Sequence, residues 1–170
     1  SNGFIGKNLL LKLISKKKYQ IYEYNRGDSL KKLSNLIQEA KIIFHIAGVN
    51  RSVDKKKFES TNIDLTSKIV SLVNKKKIKT KIIFASTDLI NKKLKSEYVI
   101  SKLNAENLIK KKLLKIHDYQ IHRFPNIFGK WSKPNYNSVI ATFCNNISRN
   151  LPVKIIDNKD IKFVYIDDLT

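Results

Sequence analysis

Two compact apolar runs, Lys41-Ile42-Ile43-Phe44-His45-Ile46 and Lys81-Ile82-Ile83-Phe84-Ala85, constrain this chain more than any other feature. Each is too short for a core helix and rich in β-branched and aromatic residues, so each predicts a strand buried on both faces. Between them, from about Asp54 to Lys75, lies a stretch whose apolar spacing predicts a long helix. Two strands joined by a helix, with no hairpin turn between them, predict parallel pairing through a crossover. The same alternation continues on both sides. Phe4, Ile5, Leu9, Leu10 and Leu13 fall at helical spacing from Gly3 to about Ser15, Tyr19 to Tyr24 is strand-like, and Ser29 to Ala40 predicts a helix with Asp28 as its cap. Later helices are predicted over about Glu97–Leu114 and Asn137–Ser148, and strands over Tyr119–Arg123, Val153–Ile156 and Lys162–Ile166. The expected fold class is α/β, a doubly wound parallel sheet with no internal domain boundary. Such sheets bind ligands at the carboxyl ends of their strands, so the residues just after each strand carry the functional reading.

Composition narrows the classes of function. A formal net charge of +20 raises polyanions as partners. Lysine accounts for most of it, in clusters such as Lys16-Lys17-Lys18, Lys55-Lys56-Lys57, Lys75-Lys76-Lys77 and Lys110-Lys111-Lys112. These lack the arginine forks and aromatic platforms of nucleic-acid sites and read as solvated helix ends and faces, so no nucleic-acid partner is expected. No apolar run is long enough to span a membrane and nothing at the start resembles a signal peptide, so the expected location is cytoplasmic with no membrane partner. The single cysteine, Cys144, shares a helix face with Ile140 and Ile147 and reads as a small buried hydrophobe. With three histidines and no CxxC pair, no metal site is expected. The chain has no methionine and begins and ends within motifs, so it reads as a fragment, lacking the first strand of its sheet and poorly stable or inactive alone.

Three stretches carry chemistry. Asn2-Gly3-Phe4-Ile5-Gly6 opens a helix with glycines three apart, the spacing that lets backbone approach a diphosphate and lets the helix pack tightly. After the Tyr19–Tyr24 segment stands Arg26, placed to pair with the 2′-phosphate of NADP; Glu23 nearby would serve NAD if that segment ends earlier. Tyr98 and Lys102 lie four apart on one helix face, just after a strand that ends Ala85-Ser86-Thr87-Asp88. A lysine ammonium beside a phenol favours the phenolate and lowers its pKa, and the same lysine can hold ribose hydroxyls. The Thr87 hydroxyl can orient a substrate oxygen for proton transfer. His45 within its apolar run reads as a core histidine, and Trp131 and Tyr136 read equally as pocket lining or as loop anchors.

Taken together, NGFIG, FHIAG, the ASTD strand end, YxxxK, RFPNIFG and VYIDDL resemble, in order and over essentially all 170 residues, the NAD(P)-dependent epimerase/dehydratase family, the extended short-chain dehydrogenase/reductases. Within it, HIAGVNR and the stretch from Arg123 to Ile147 are most similar to the CapF/WbjC-type reductases of capsule and O-antigen synthesis. The resemblance implies a partial NAD(P)-binding Rossmann domain over 1–170, truncated at both ends, with NADP(H) favoured over NAD(H). It implies a UDP-sugar substrate, a homodimer and reduction of a UDP-2-acetamido-2,6-dideoxy-hexos-4-ulose to the L-talose sugar on the route to UDP-N-acetyl-L-fucosamine. In the relatives a metal-binding cupin domain follows. Thr87, Tyr98 and Lys102 correspond to the catalytic group, Ala47 and Gly48 to the wall beside the adenosine ribose, Pro125 to a position by the nicotinamide, and Asn126 to one near the substrate diphosphate. Asn62 resembles a position that hydrogen-bonds near the active site, although a mid-helix asparagine ordinarily faces solvent. The alternatives are another epimerase or dehydratase of the same family, or a non-catalytic basic binding module on the same scaffold; Leu89 after Asp88, where dehydratases carry an Asp-Glu pair, counts against a dehydratase.

Overall fold

The computed structural model describes residues 1–54, 56–92, 95–155 and 160–170. Its elements run α1 (Phe4–Ser15), α2 (Leu30–Glu39), β1 (Ile42–His45), α3 (Lys56–Phe58), a π-helical segment (Glu59–Asp64), α4 (Leu65–Asn74), β2 (Lys81–Thr87), a 3₁₀ turn (Asp88–Ile90), α5 (Glu97–Lys112), β3 (Asp118–Phe124), β4 (Asn126–Phe128), α6 (Val139–Ile147), β5 (Phe163–Tyr165) and α7 (Ile166–Leu169). They form two compact units, Tyr22–Arg123 and Ser1–Ile21 with Phe124–Thr170.

In the Tyr22–Arg123 unit the sheet order is β1-β2-β3, and β1 runs parallel to β2 with Ile42 opposite Lys81 and His45 opposite Phe84. The α/β fold with parallel strands and helical crossovers is therefore the one expected. The core is built from i,i+4 pairs on three helices, Leu33 and Ile37 of α2, Ile69 and Val73 of α4, Ala105 and Ile109 of α5, closed over Ile82 and Phe84 of β2. All of these meet one face of the sheet. The expectation that β1 is buried on both faces is corrected accordingly: Ile42 and Phe44 are 51% and 39% exposed, while His45 between strand and helices is buried.

Helix ends differ from expectation for chemical reasons. Ser29 caps α2, accepting the Lys32 N–H at 3.1 Å. Asp28, expected in that role, instead accepts the Asn25 N–H at 2.7 Å and pairs with the Lys32 ammonium at 2.8 Å. Lys76, expected on a solvated face, is buried and donates to the carbonyls of Ile37 (2.8 Å) and Ala40 at the end of α2. Those carbonyls lack helical partners, and the ammonium supplies donors to them.

Tyr19–Tyr24 forms no strand, because among the described residues no strand lies beside it to complete a ladder. In the other unit β4 and β5 pair in parallel, Asn126 opposite Phe163 and Phe128 opposite Tyr165. Strand β4 was not anticipated, since Pro125 interrupts what reads as the end of one strand. The last predicted strand is shorter than expected: Ile166 starts α7 and is fully buried. Gly129, at φ 136°, lies so close beneath it that a Cβ would stand 2.4 Å from Ile166 Cγ2. Val153–Ile155 is not a strand, and Ile156 lies outside the described residues. Cys144 is exposed on α6, against the expectation of burial.

Lys76→Ala should lower the unfolding free energy by about 1–3 kcal/mol by stripping donors from buried carbonyls. Lys75→Ala and Lys77→Ala, both at exposed positions, should stay within about 0.5 kcal/mol. Urea titration of the three variants in the intact protein separates the buried cation from its neighbours.

Candidate active site

Thr87 ends β2, 5% exposed, and its hydroxyl accepts the Leu89 N–H at 3.3 Å. Ser96 caps α5 by accepting the Val99 N–H at 3.3 Å, which fixes the first turn and with it Tyr98. There the Thr87 side chain acts on the Tyr98 phenol. Burial raises the Tyr98 pKa above its ordinary value, Thr87 opposes the rise and the Asp88 charge adds to it. The expected lowering by a lysine is therefore corrected: desolvation of the phenolate dominates.

One turn along the same helix, Lys102 is 4% exposed, its ammonium 4.2 Å from the centre of the Phe84 ring. Burial pulls its pKa down to about 8, and the Glu106 charge opposes the fall. At neutral pH it remains mostly ammonium. A Cβ on Gly48 would stand 3.6 Å from this nitrogen and 3.3 Å from Asn62 Oδ1. Tyr98 thus reaches the end of β2, while Lys102 reaches the segment that leaves β1.

Asn62 sits in the π-helical segment and is 1% exposed, against the solvent-facing habit of a mid-helix asparagine and in keeping with the hydrogen-bonding position it resembles. Its amide accepts the Val49 N–H at 2.9 Å and donates to the Val49 carbonyl at 3.0 Å and to Ser101 Oγ at 2.9 Å. Ser101 in turn donates to the Tyr98 carbonyl at 2.8 Å. One side chain therefore ties the loop after β1 to the first turns of α5. Helical periodicity cannot reveal this, because a π segment changes the phase of the faces. His45 is the core histidine expected: buried, paired with Thr66 Oγ1 at 2.8 Å, and held neutral by burial, its pKa down to about 3.

Beside Tyr98 opens a cleft of about 690 Å³, whose walls include Asn50, Arg51, Ser52, Phe58, Leu89 and Ser96. Arg26 lies exposed in the turn it forms with Gly27, and Ala47 and Gly48 are exposed after β1.

The chain matches the NAD dependent epimerase/dehydratase family across residues 1–170. The chain belongs to this family. Members of the NAD dependent epimerase/dehydratase family bind NAD(P). A UDP-2-acetamido-2,6-beta-L-arabino-hexul-4-ose reductase from Pseudomonas aeruginosa is 37% identical over 99% of this chain and 45% of its own length. The capsular polysaccharide assembling protein CapF from Staphylococcus aureus is 35% identical, with a TM-score of 0.84 over 98% of this chain and 45% of that one. A UDP-N-acetylglucosamine 4-epimerase from Bacillus cereus, 23% identical with a TM-score of 0.77, shares the fold, covering 99% of this chain and 66% of that one. The chain thus spans about half the length of the curated relative.

The remaining residues singled out for this family lie in the other unit. Asn2 and Gly3 are exposed at the start of α1, Phe4 and Ile5 are half-buried, and Gly6 is buried, a Cβ there standing 2.6 Å from the Ser1 carbonyl oxygen. Pro125 separates β3 from β4, and Asn126 opens β4 with an exposed side chain. Trp131 and Tyr136 are 48% and 51% exposed. Asp167 pairs with Lys130 at 3.1 Å, and among the described residues no group of three or more His, Cys, Asp or Glu could hold a metal. No helix of the described residues is long and apolar enough to cross a membrane.

His45 binds its proton more weakly folded than unfolded, so its contribution to stability is complete above the unfolded value of 6.5 and is lost as pH falls toward about 3. Wild-type protein should lose up to about 1.4 kcal/mol per pH unit more than His45→Gln in that window, read as the difference between their denaturation free energies at pH 7 and pH 5.

Proposed function

We propose that the intact protein is a cytoplasmic, NADPH-dependent nucleotide-sugar 4-ketoreductase, to which residues 1–170 contribute a partial Rossmann domain. Its substrate is a UDP-2-acetamido-2,6-dideoxy-hexos-4-ulose, reduced to the L-talose sugar on the route to UDP-N-acetyl-L-fucosamine and capsular polysaccharide. It works as a homodimer, with neither nucleic acid nor membrane as partner. The name of the Pseudomonas aeruginosa relative supports the substrate class. The observation that carries the reading is Thr87 at the end of β2 acting on the Tyr98 phenol, with buried Lys102 one turn further on the same helix.

Each unit carries residues chemically suited to part of a dinucleotide. Gly3 has nothing within 4 Å of where a Cβ would stand, and α1 has neither a side-chain cap nor an acidic residue in its first turn, which suits its start to a diphosphate. Gly3 to Gly6 would hold that diphosphate with Asn2. Ala47 and Gly48 would face the adenosine ribose, Arg26 the 2′-phosphate, Lys102 the nicotinamide ribose, and Pro125 the nicotinamide. Asn126 would bind the substrate diphosphate. When bound, reduced nicotinamide supplies the hydride for the ketone carbon.

The chain's own residues manage the proton. Tyr98 carries its proton at neutral pH, and because burial weakens it as an acid it gives that proton to the ketone oxygen only as charge develops there. Thr87 bonds the same oxygen and orients it. The Lys102 ammonium then stabilises the phenolate left behind, a charge it does not meet in the ground state.

Mass spectrometry of products from the UDP-4-keto-6-deoxy sugar with NADPH and with NADH tests the reading directly; no reduction with either cofactor refutes it. Tyr98→Phe should lower kcat by about 10²–10⁴ while NADPH binds nearly as in wild type. Full activity in that variant would remove the proposed acid. Arg26→Ala should raise KM for NADPH about tenfold and leave that for NADH unchanged, as loss of a charge-assisted phosphate contact requires.

A further inference from the structure

Glu106 is a carboxylate with no exposed surface, one turn beyond Lys102 and two beyond Tyr98 on the same face of α5. Its Oε1 accepts from Ser86 Oγ at 2.6 Å and from Arg123 Nε at 2.9 Å. Its Oε2 accepts from Arg123 Nη2 at 2.6 Å and, more distantly, from Lys110 Nζ at 3.5 Å. Ser86 immediately precedes Thr87 on β2. Arg123 lies on β3, and its second terminal nitrogen donates to Asn91 Oδ1, just after the 3₁₀ turn that Thr87 begins. The carboxylate therefore joins the helix carrying Tyr98 and Lys102 to the strand end carrying Thr87.

Such a group is costly to bury. A hydrophobic residue would fill the same volume between α5 and β2 and demand nothing of its neighbours, so packing alone does not account for a charge here. Burial works against the charged form, and the Arg123 and Ser86 bonds, with the charges of Arg123 and Lys110, overcome it. The titratable groups around Lys102 are His45 on β1, held neutral, and Tyr98 and Glu106 on α5. From β2 it meets Phe84, which does not titrate, and Asp88 acts on Tyr98. Glu106 is the negative charge that acts on this lysine.

We propose that Glu106 is a positioning residue for the reaction: it sets α5 against the end of β2 so that Tyr98 meets Thr87, and it supplies the buried negative charge that keeps Lys102 an ammonium. This rests on the ketoreductase reading for its effect on turnover, and for its effect on the lysine on the one-turn spacing of Glu106 and Lys102 along α5 and on the Glu106 charge opposing the fall in the Lys102 pKa. Removing the charge makes the lysine easier to deprotonate, so activity that needs the ammonium is lost at lower pH.

In the intact protein, Glu106→Gln should move the alkaline limb of the kcat profile to lower pH by about one unit. The Lys102 side-chain titration, followed by ¹⁵N NMR without cofactor, should move the same way. Ser86→Ala, which leaves the charge in place, should lower kcat about three- to tenfold, leave KM within twofold and leave the limb where it is. A limb and a lysine titration unchanged in Glu106→Gln overturn the electrostatic role, and an unchanged kcat in Ser86→Ala overturns the positioning role. Should Glu106→Gln not fold, Ser86→Ala still decides the latter, and Arg123→Lys, which keeps the positive charge, still reports on the lysine titration: a shift there of more than half a unit would contradict a role for the carboxylate charge. Wild-type protein that reduces no ketone, with the lysine titration shifted as expected, would sink the ketoreductase reading and leave the charge assignment standing.

Discussion

The structure of the Tyr22–Arg123 unit depends on how α5 is seated against the sheet. Apolar packing supplies the attraction: Ala105 and Ile109 are fully buried in the cluster that includes Ile82 and Phe84. Alanine at the first of these sites lets the helix approach the strands closely. Dispersion does not select one position along the helix axis with the same sharpness as directed bonds do. Directed bonds from two ends make the selection, Asn62 through Ser101 near the start of the helix and Glu106 through Ser86 and Arg123 further along. Lys102 lies between these two ties, and Tyr98 stands less than one turn before the first of them.

Much of this was legible because it follows from local chemistry. The two Lys-Ile-Ile-Phe runs gave parallel neighbours, and the four-residue spacing of Tyr98 and Lys102 put both on one face of a real helix. The misread parts depend on partners distant in sequence. Tyr19–Tyr24 has strand-like residues, but a strand exists only through its ladder. Asp28 and Ser29 are both good caps, and the choice fell to Ser29 because Asp28 binds Asn25 and Lys32. The rule that counts against a buried Asn62 is one for α-helices and does not hold in a π segment. Cys144 shares a helical face with apolar neighbours and is nevertheless exposed; α6 has no fully buried residue at all.

The lysines divide in the same way. A charge of +20 suggested a uniformly solvated basic surface, yet Lys76 and Lys102 are buried. One neutralises helix-end carbonyls by hydrogen bonding and the other stands over an aromatic ring. Nothing in the run Lys75-Lys76-Lys77 distinguishes its middle member. What distinguishes it is that α4 ends where its side chain can reach back to α2.

The contact between His45 and Thr66 has a consequence for proton placement. The Thr66 hydroxyl has one hydrogen, and it is directed to the Asn62 carbonyl at 2.7 Å. At the 2.8 Å contact with His45 Nε2 the threonine can therefore only accept, so the imidazole must carry its hydrogen on Nε2 and leave Nδ1 bare. The tautomer of a ring buried in the first strand is thus dictated by a backbone oxygen in the π segment. Hydrogen-bond polarity runs one way from strand to helix, ending on the residue whose amide grips the loop leaving that strand.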